Sequence, residues 1–210
     1  MKIHDLSPTL SPRTAVWPGD VRLSRETAMA FEEGDHMALS SFRTTVHIGA
    51  HADAPSHYDP SGESIERRAL ARYLGPCQLM SVCVPLGGRI GPEHPPGAVV
   101  APRVLFRTGT FPDPEKFNVD FAALSPALID HLHAHGVMLV GLDTPSVDLC
   151  QDAEMISHKA IARCGMSILE GLVFPDIPDG TYTLIALPLP LEGADASPVR
   201  AVLVEGLMDP

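Results

Sequence analysis

Positive charge is scarce in this chain. Fifteen Lys and Arg face 26 Asp and Glu, a formal net charge of −11 at pH 7. Nucleic acids and anionic membrane surfaces are bound through basic faces, so neither is expected as a partner. Cysteine is scarce too: Cys77, Cys83, Cys150 and Cys164 form no C-x-x-C pair. They are too few for a disulfide scaffold, and buried reduced thiols in a cytoplasmic protein are the expectation. No apolar run approaches the roughly 18 residues that a membrane helix needs. The N-terminal MKIHDLSPTLSPR lacks the apolar centre of a signal peptide. Aromatic residues make up only 5% of the chain, with Trp17 the single tryptophan. A G-x-S-x-G nucleophile elbow is missing as well. Its nearest approach, Gly165-Met166-Ser167-Ile168-Leu169, lacks the final glycine, so serine-hydrolase chemistry is set aside.

What is present is apolar material and proline. Hydrophobic residues are 45% of the chain and mean hydropathy is +0.10, enough for a real core. A length of 210 residues and no composition break predict one domain spanning 1–210. The 21 prolines are scattered, which predicts many short ordered loops rather than one hinge. Short strands are expected at Lys2 to Leu6, Phe42 to Ile48, Leu79 to Leu86 and Val104 to Phe106. Others are expected at Val137 to Leu142, Met166 to Val173, Tyr182 to Leu187 and Val199 to Val204. Helices are expected over Ser64 to Leu74, Ser125 to His135 and Ser157 to Cys164, stopped by Gly75, Gly136 and Gly165. This alternation is that of an α/β fold, a largely buried mixed sheet flanked by helices.

The chemistry concentrates in TTVHIGAHADAPSHY, Thr44 to Tyr58, which holds three of the ten histidines. His47 and His51 have the spacing of an H-E-x-x-H helix, but Ile48 stands where that motif needs glutamate. Gly49 disfavours a helix and Pro55 would break one. The expected picture is a strand ending near Ile48, with His51, Asp53 and His57 on the loop beyond. His47, His51 and Asp53 offer two nitrogens and one hard oxygen, a set that suits Zn²⁺, Mn²⁺ or Fe²⁺. Asp53 could bridge to a second ion, for which His158 and Glu170 are the candidates. Glu170 lies in the apolar stretch SILEGLVF, where a buried carboxylate needs a partner. Taken singly, His158 also reads as a helix-terminal polar residue and Glu170 as a strand residue facing solvent. The HLHAHG stretch, with His131, His133 and His135, suits the C-terminal end of a helix dipole better than a metal. Asp143 and Asp148 in GLDTPSVD fit either support of a metal ligand or turn formation around Pro145.

HIGAHADAPSH resembles the signature H-x-G-x-H-x-D-x-P-x-H of the cyclase-like metal-dependent hydrolases. The opening KIHDLSPTLSP, the Trp17-Pro18-Gly19-Asp20 loop, GLDTPSVD, His158 and the Ile168-Leu169-Glu170-Gly171 stretch extend the likeness toward bacterial-type kynurenine formamidases (arylformamidases). The resemblance implies a swivelling β/β/α-type fold, a homodimer and two Zn²⁺ per subunit. It implies His47, His51 and Asp53 as ligands of the first ion. Asp53, His158 and Glu170 would serve the second. It makes His57 the catalytic acid/base and sets Trp17 against an aromatic substrate ring; read alone, Trp17 is a hydrophobic plug. The implied activity is hydrolysis of N-formyl-L-kynurenine to L-kynurenine and formate in tryptophan degradation. Two alternatives stand beside it: an isatin hydrolase-like enzyme acting on a cyclic amide, and a non-catalytic metal or small-ligand binding module.

Overall fold

A computed structural model describes residues 1–207. The strands are β1 (Ile3–Asp5), β2 (Ser24–Met29), β3 (Leu39–Arg43), β4 (His51–Asp53), β5 (Leu74–Ser81), β6 (Arg89–Ile90), β7 (Arg103–Arg107), β8 (Ala123–Leu124), β9 (Leu139–Leu142), β10 (Ser167–Glu170), β11 (Gly180–Ile185), β12 (Ala196–Pro198) and β13 (Val202–Val204). The helices are α1 (Pro126–Ala134) and α2 (Ile156–Cys164). Nine strands form one mixed sheet in the order β1-β13-β11-β5-β7-β9-β10-β4-β12. Its centre, β5-β7-β9-β10, is parallel, and both flanks are antiparallel.

The central strands are apolar because both of their faces are covered. Side chains alternate across a sheet. Val104, Phe106, Val140, Leu142 and Ile168 therefore join one core, which α1 and α2 close with Leu128, Ile129, Leu132, Ala160 and Ile161. Leu105, Leu139 and Leu169 join a second core on the other face, with Leu6, Ile65, Tyr73 and Leu184. The α/β expectation holds in this form. Ser125 caps α1 by accepting from the Leu128 N–H at 3.1 Å, as its position before Pro126 predicts. No helix among the described residues is long and apolar enough to cross a membrane.

Three expectations fail locally. The strand placed over Leu79 to Leu86 instead begins at Leu74 and ends at Ser81, just past the point where its antiparallel partner β11 is used up. Ser64 to Leu74 is not a helix but two separate 3-10 turns, Ile65–Arg67 and Leu70–Arg72, ending at the start of β5. Tertiary bonds replace the helical ladder there. The Arg68 guanidinium donates to Ser167 Oγ at 2.7 Å, while that of Arg103 collects the carbonyls of Ala71, Arg72 and Pro76. The strand predicted over Phe42 to Ile48 is likewise displaced. β3 ends at Arg43, residues 44–50 bend, and the strand is His51–Asp53 itself, paired to β10 and β12. The physical reason is a period-2 pattern inside the motif. Ala50, Ala52 and Ala54 alternate with the polar donors and pack into the second core, a match that no loop could make.

β2 and β3 form a separate two-stranded hairpin, nearly all of it exposed. Phe42 on it is 71% exposed and Leu39 52%. A two-stranded ribbon showing such side chains to water is marginal by itself.

Candidate metal centre

The sheet register builds the site. Glu170 of β10 lies opposite His51 of β4, and Ile168 lies opposite Asp53. Ile168 belongs to the core beneath the helices, so alternation turns His51, Asp53 and Glu170 to that same face. α2 brings His158 in from its first turn, and the bend before β4 brings His47. The five residues named from the sequence as ligands thus meet. His51 Nε2 is 3.5 Å from Asp53 Oδ1 and 3.3 Å from Glu170 Oε2. His158 Nε2 is 3.5 Å from Asp53 Oδ2 and 3.8 Å from Glu170 Oε1. His47 Nδ1 is 3.1 Å from Asp53 Oδ1.

Three of the ligand candidates, His51, His158 and Glu170, are fixed from outside. His51 Nδ1 donates to the Gly49 carbonyl at 2.8 Å. A carbonyl only accepts, so Nε2 carries the lone pair and faces inward. His158 Nδ1 meets Asp148 Oδ2 at 2.9 Å, and Glu170 Oε1 accepts the Val147 N–H at 2.7 Å. Asp148 also accepts the backbone N–H groups of Ser157 and His158. It thereby caps α2 from outside, since Met155, at the N-cap with φ 50°, provides no side-chain cap. Arg89 clamps Asp148 in turn, donating to Oδ1 at 3.0 Å. Of the two readings open for Asp148, the structure supports ligand positioning. Asp143 instead accepts from Thr108 and Gly109 and anchors a loop.

Two glycines permit this packing. Gly49 (φ 58°) and Gly171 (φ 64°) are both left-handed. A Cβ on Gly171 would lie 2.1 Å from the Gly49 carbonyl oxygen, the acceptor that orients His51.

The donor set can be tested against a metal directly. His51 Nε2, His158 Nε2 and both Asp53 carboxylate oxygens are buried with no hydrogen-bond partner among the described residues. The contact between His47 Nδ1 and Asp53 Oδ1 has the distance of a hydrogen bond but not its direction. A buried polar atom left unpaired costs about 1–3 kcal/mol. Four of them converging on one place fit a cation, not an internal polar network. Donor atoms of His47, His51 and Asp53 lie within 4.8 Å of one another, as do those of Asp53, His57 and His158. Asp53 is common to both groups, as a bridging ligand would be, and the N/O donors match a borderline divalent ion.

The charges point the same way. Burial would lower the His47 and His158 pKa values, but the carboxylates prevail. Asp53 and Asp195 raise His47 to about 9. Asp148, Asp53 and Glu170 raise His158 to about 10. Burial opposes ionisation of Asp53, yet His158 and His47 hold it well below the usual carboxylate range. The cluster therefore draws positive charge, for which protons and a divalent cation compete.

His57 ends the 3-10 turn Pro55–His57 and is exposed. Its ring centroid is 4.3 Å from that of His47 and 5.8 Å from that of His158. It borders the donors without the burial that His51 and His158 have. Trp17 meets Phe117 edge-on at 5.5 Å and Phe121 at 6.3 Å. It is both packed, as a plug would be, and 39% exposed. A cavity of about 720 Å³ is lined by Trp17, Phe111 and Phe117 and also by His47, His57 and Glu170. Among the described residues its lining has no Lys or Arg, while Asp20, Asp143, Asp148 and Asp152 all border it.

Two neighbours escaped the sequence reading. Asp195 contacts both His47 and His57 from a distant, unremarkable stretch. Tyr58 places its ring 5.1 Å from that of His158, and burial lifts its pKa above the ordinary phenol value. Tyr58 adjoined the motif and could have been included; Asp195 carried no signal. By contrast, His131 and His135 stack on each other at 4.3 Å, at the exposed end of α1.

The sequence profile of the Cyclase family, described as "Putative cyclase", matches residues 4–149. The chain belongs to the Cyclase family. Solved structures with the same fold agree along nearly the whole length. One described as a potential metal-dependent hydrolase with cyclase activity is 26% identical, with 96% of each chain covered and a TM-score of 0.80. A predicted metal-dependent hydrolase from Bacillus stearothermophilus is 24% identical, covering 96% of this chain and 97% of its own, with a TM-score of 0.75. Isatin hydrolase A from Labrenzia aggregata, bound to benzyl benzoate, is 23% identical, covering 97% and 93%, with a TM-score of 0.78. The profile's match takes in the whole HIGAHADAPSH motif, whereas His158 and Glu170 of this Cyclase-family chain lie beyond it.

Proposed function

We propose that this Cyclase-family protein is a metal-dependent amide hydrolase that cleaves N-formyl-L-kynurenine to L-kynurenine and formate. The observation that carries the hydrolase reading is the convergence of orphaned buried donors, His51 Nε2, His158 Nε2 and both Asp53 oxygens. His47, His51 and Asp53 would hold one divalent ion, zinc in the first instance; Asp53, His158 and Glu170 would hold a second. When bound, such ions lower the pKa of water from 15.7 to about 7 and supply Lewis acidity. Everything else is the work of this chain's side chains. Trp17 and the phenylalanines behind it position an aryl ring against the cluster, edge or face on. His57, near but outside the buried set, gives a proton to the aryl nitrogen as the C–N bond breaks. Without that proton an anilide anion would have to leave. Asp148 and the Gly49 carbonyl keep the His158 and His51 rings aimed through the cycle.

The swivelling β/β/α arrangement and the homodimer belong to the same proposal. The hairpin β2–β3, with Leu39 and Phe42 outward, is the surface a second copy would cover.

One observation favours a second substrate. N-formylkynurenine carries an α-carboxylate, and no Lys or Arg lines the cavity among the described residues. An uncharged cyclic amide such as isatin needs no such partner. The deciding experiment is an assay of the metal-reconstituted protein with N-formylkynurenine, isatin and simple formanilides. N-formylkynurenine is expected to have the highest kcat/KM; isatin turning over far faster would replace it as the substrate. His57→Ala is expected to retain metal and lose turnover. Metal lost together with activity would make His57 a ligand.

A further inference from the structure

We propose that Asp195 is a positioning residue that sets two histidines at once, a metal-ligand candidate on one side and the proton-transfer histidine on the other. The proposal rests on the roles given above to His47 and His57. Its geometry is simple. Asp195 Oδ2 lies 3.0 Å from His47 Nε2 and 3.3 Å from His57 Nδ1. An ionised carboxylate accepts and cannot donate. Each imidazole nitrogen facing it must therefore carry a proton, and in a neutral ring the other nitrogen then holds the lone pair. For His47 that other nitrogen is Nδ1, the atom 3.1 Å from Asp53 Oδ1, so its lone pair is presented to the cluster. For His57 it is Nε2. One oxygen thus decides how one ring can bind metal and which nitrogen of the other is free to exchange a proton. His51 and His158 have their own separate orienters in the Gly49 carbonyl and Asp148, whereas Asp195 serves two rings.

The backbone makes Asp195 a fixed support. It stands just before β12, whose Ala196 is register partner to Asp53. Its carbonyl accepts the Ala54 N–H at 2.8 Å, and the preceding Ala194 carbonyl accepts the Ile65 N–H at 2.9 Å. The main chain is held on both sides of the residue, and those bonds do not involve the carboxylate. The side chain itself is 48% exposed. An ion pair so open to water contributes little to folding, so replacing the carboxylate leaves a folded protein in which orientation is the quantity changed. Asp195 also stands within ligand distance of His47 and His57, so direct ligation is the rival role.

The test uses Asp195→Asn, with Asp195→Ser as a second variant and thermal melting as the check of folding. Zinc affinity is measured by chelator competition, and bound zinc at saturation by elemental analysis. Imidazole tautomers are read by long-range proton–nitrogen NMR of the zinc-loaded protein, with His57 assigned through His57→Ala. The expected result is a roughly 10–100-fold weaker zinc affinity with the same number of ions at saturation. The parent His57 is expected as the Nδ1–H tautomer, and that preference is lost in both variants. Unchanged affinity and tautomer would overturn the proposal, leaving Asp195 a surface acid. One ion fewer at saturating zinc would overturn it in favour of ligation. A parent that binds no zinc would overturn it together with the metal reading. Failure to turn over N-formylkynurenine would remove the substrate proposed above but would leave these readouts untouched.

Discussion

Two stretches of this chain hold three histidines each, and among the described residues one of them gathers a candidate metal centre. HIGAHADAPSH and HLHAHG each hold three imidazoles. In the first, strand pairing and a helix from elsewhere add Glu170 and His158, and burial strips the donors of hydrogen-bond partners. In the second, helical spacing stacks His131 on His135 at an exposed helix end, where His135 Nδ1 bonds the His131 carbonyl. Histidine density is therefore a weak signal. What distinguishes the first stretch is a carboxylate at the same sheet face and the exclusion of water that would otherwise satisfy it.

The difference between the two stretches depends most on Asp53. Asp53→Asn removes the oxygen pair common to both donor groups and is expected to abolish tight zinc binding. Turnover should then fall about 10⁴-fold, because the Lewis acid supplies several kcal/mol. The combined change His131→Ala, His133→Ala, His135→Ala is expected to alter neither quantity. Equal losses from the two changes, by metal analysis and steady-state kinetics, would erase the contrast. His57→Ala sharpens it within the first stretch. Turnover should drop about 10³-fold, in the range of general acid–base catalysis, while bound metal stays constant.

Gly171→Ala tests the packing beneath the site. The new Cβ would meet the Gly49 carbonyl oxygen at 2.1 Å in a left-handed backbone. A loss of about 2–4 kcal/mol is expected, measured by denaturant unfolding and accompanied by weaker zinc binding. Gly165→Ala, left-handed with open space around it, should cost about 1–2 kcal/mol from backbone strain alone and spare the metal.

The smallest expected effect is on pH dependence. In metal-free protein His47 and His158 are raised from 6.5 to about 9 and about 10. The folded state then binds protons that the unfolded state releases. This stabilisation is complete below about pH 6.5 and is lost as pH rises through those folded values. Chelator-treated protein should therefore lose on the order of 5 °C in Tm across that window. Zinc should flatten the loss, since metal takes the place of the protons.

Much of the candidate centre could be read from residue order, because its core is local. His47, His51, Asp53 and His57 lie within eleven residues, and Gly49 and Pro55 ruled out the helix. The backbone carrying them departs from that local expectation. Phe42 to Ile48 has strand propensity, but β4 forms one step later, where alternating alanines can be buried. The Ser64 to Leu74 stretch has a helix-like pattern, but Arg68 and Arg103 gain more from distant carbonyl and hydroxyl partners. Ser125 and Gly165 marked α1 and α2 correctly, since capping is settled within a turn of the chain.

The sequence by itself determined the donor types, their spacing, an acidic surface and two helices, all properties set by near neighbours. Only the tertiary structure decided that Glu170 stands across from His51, that Asp148 orients His158, and that Asp195 reaches two imidazoles. Those relations depend on strand register and helix placement, which join residues up to 148 positions apart. No local pattern records them.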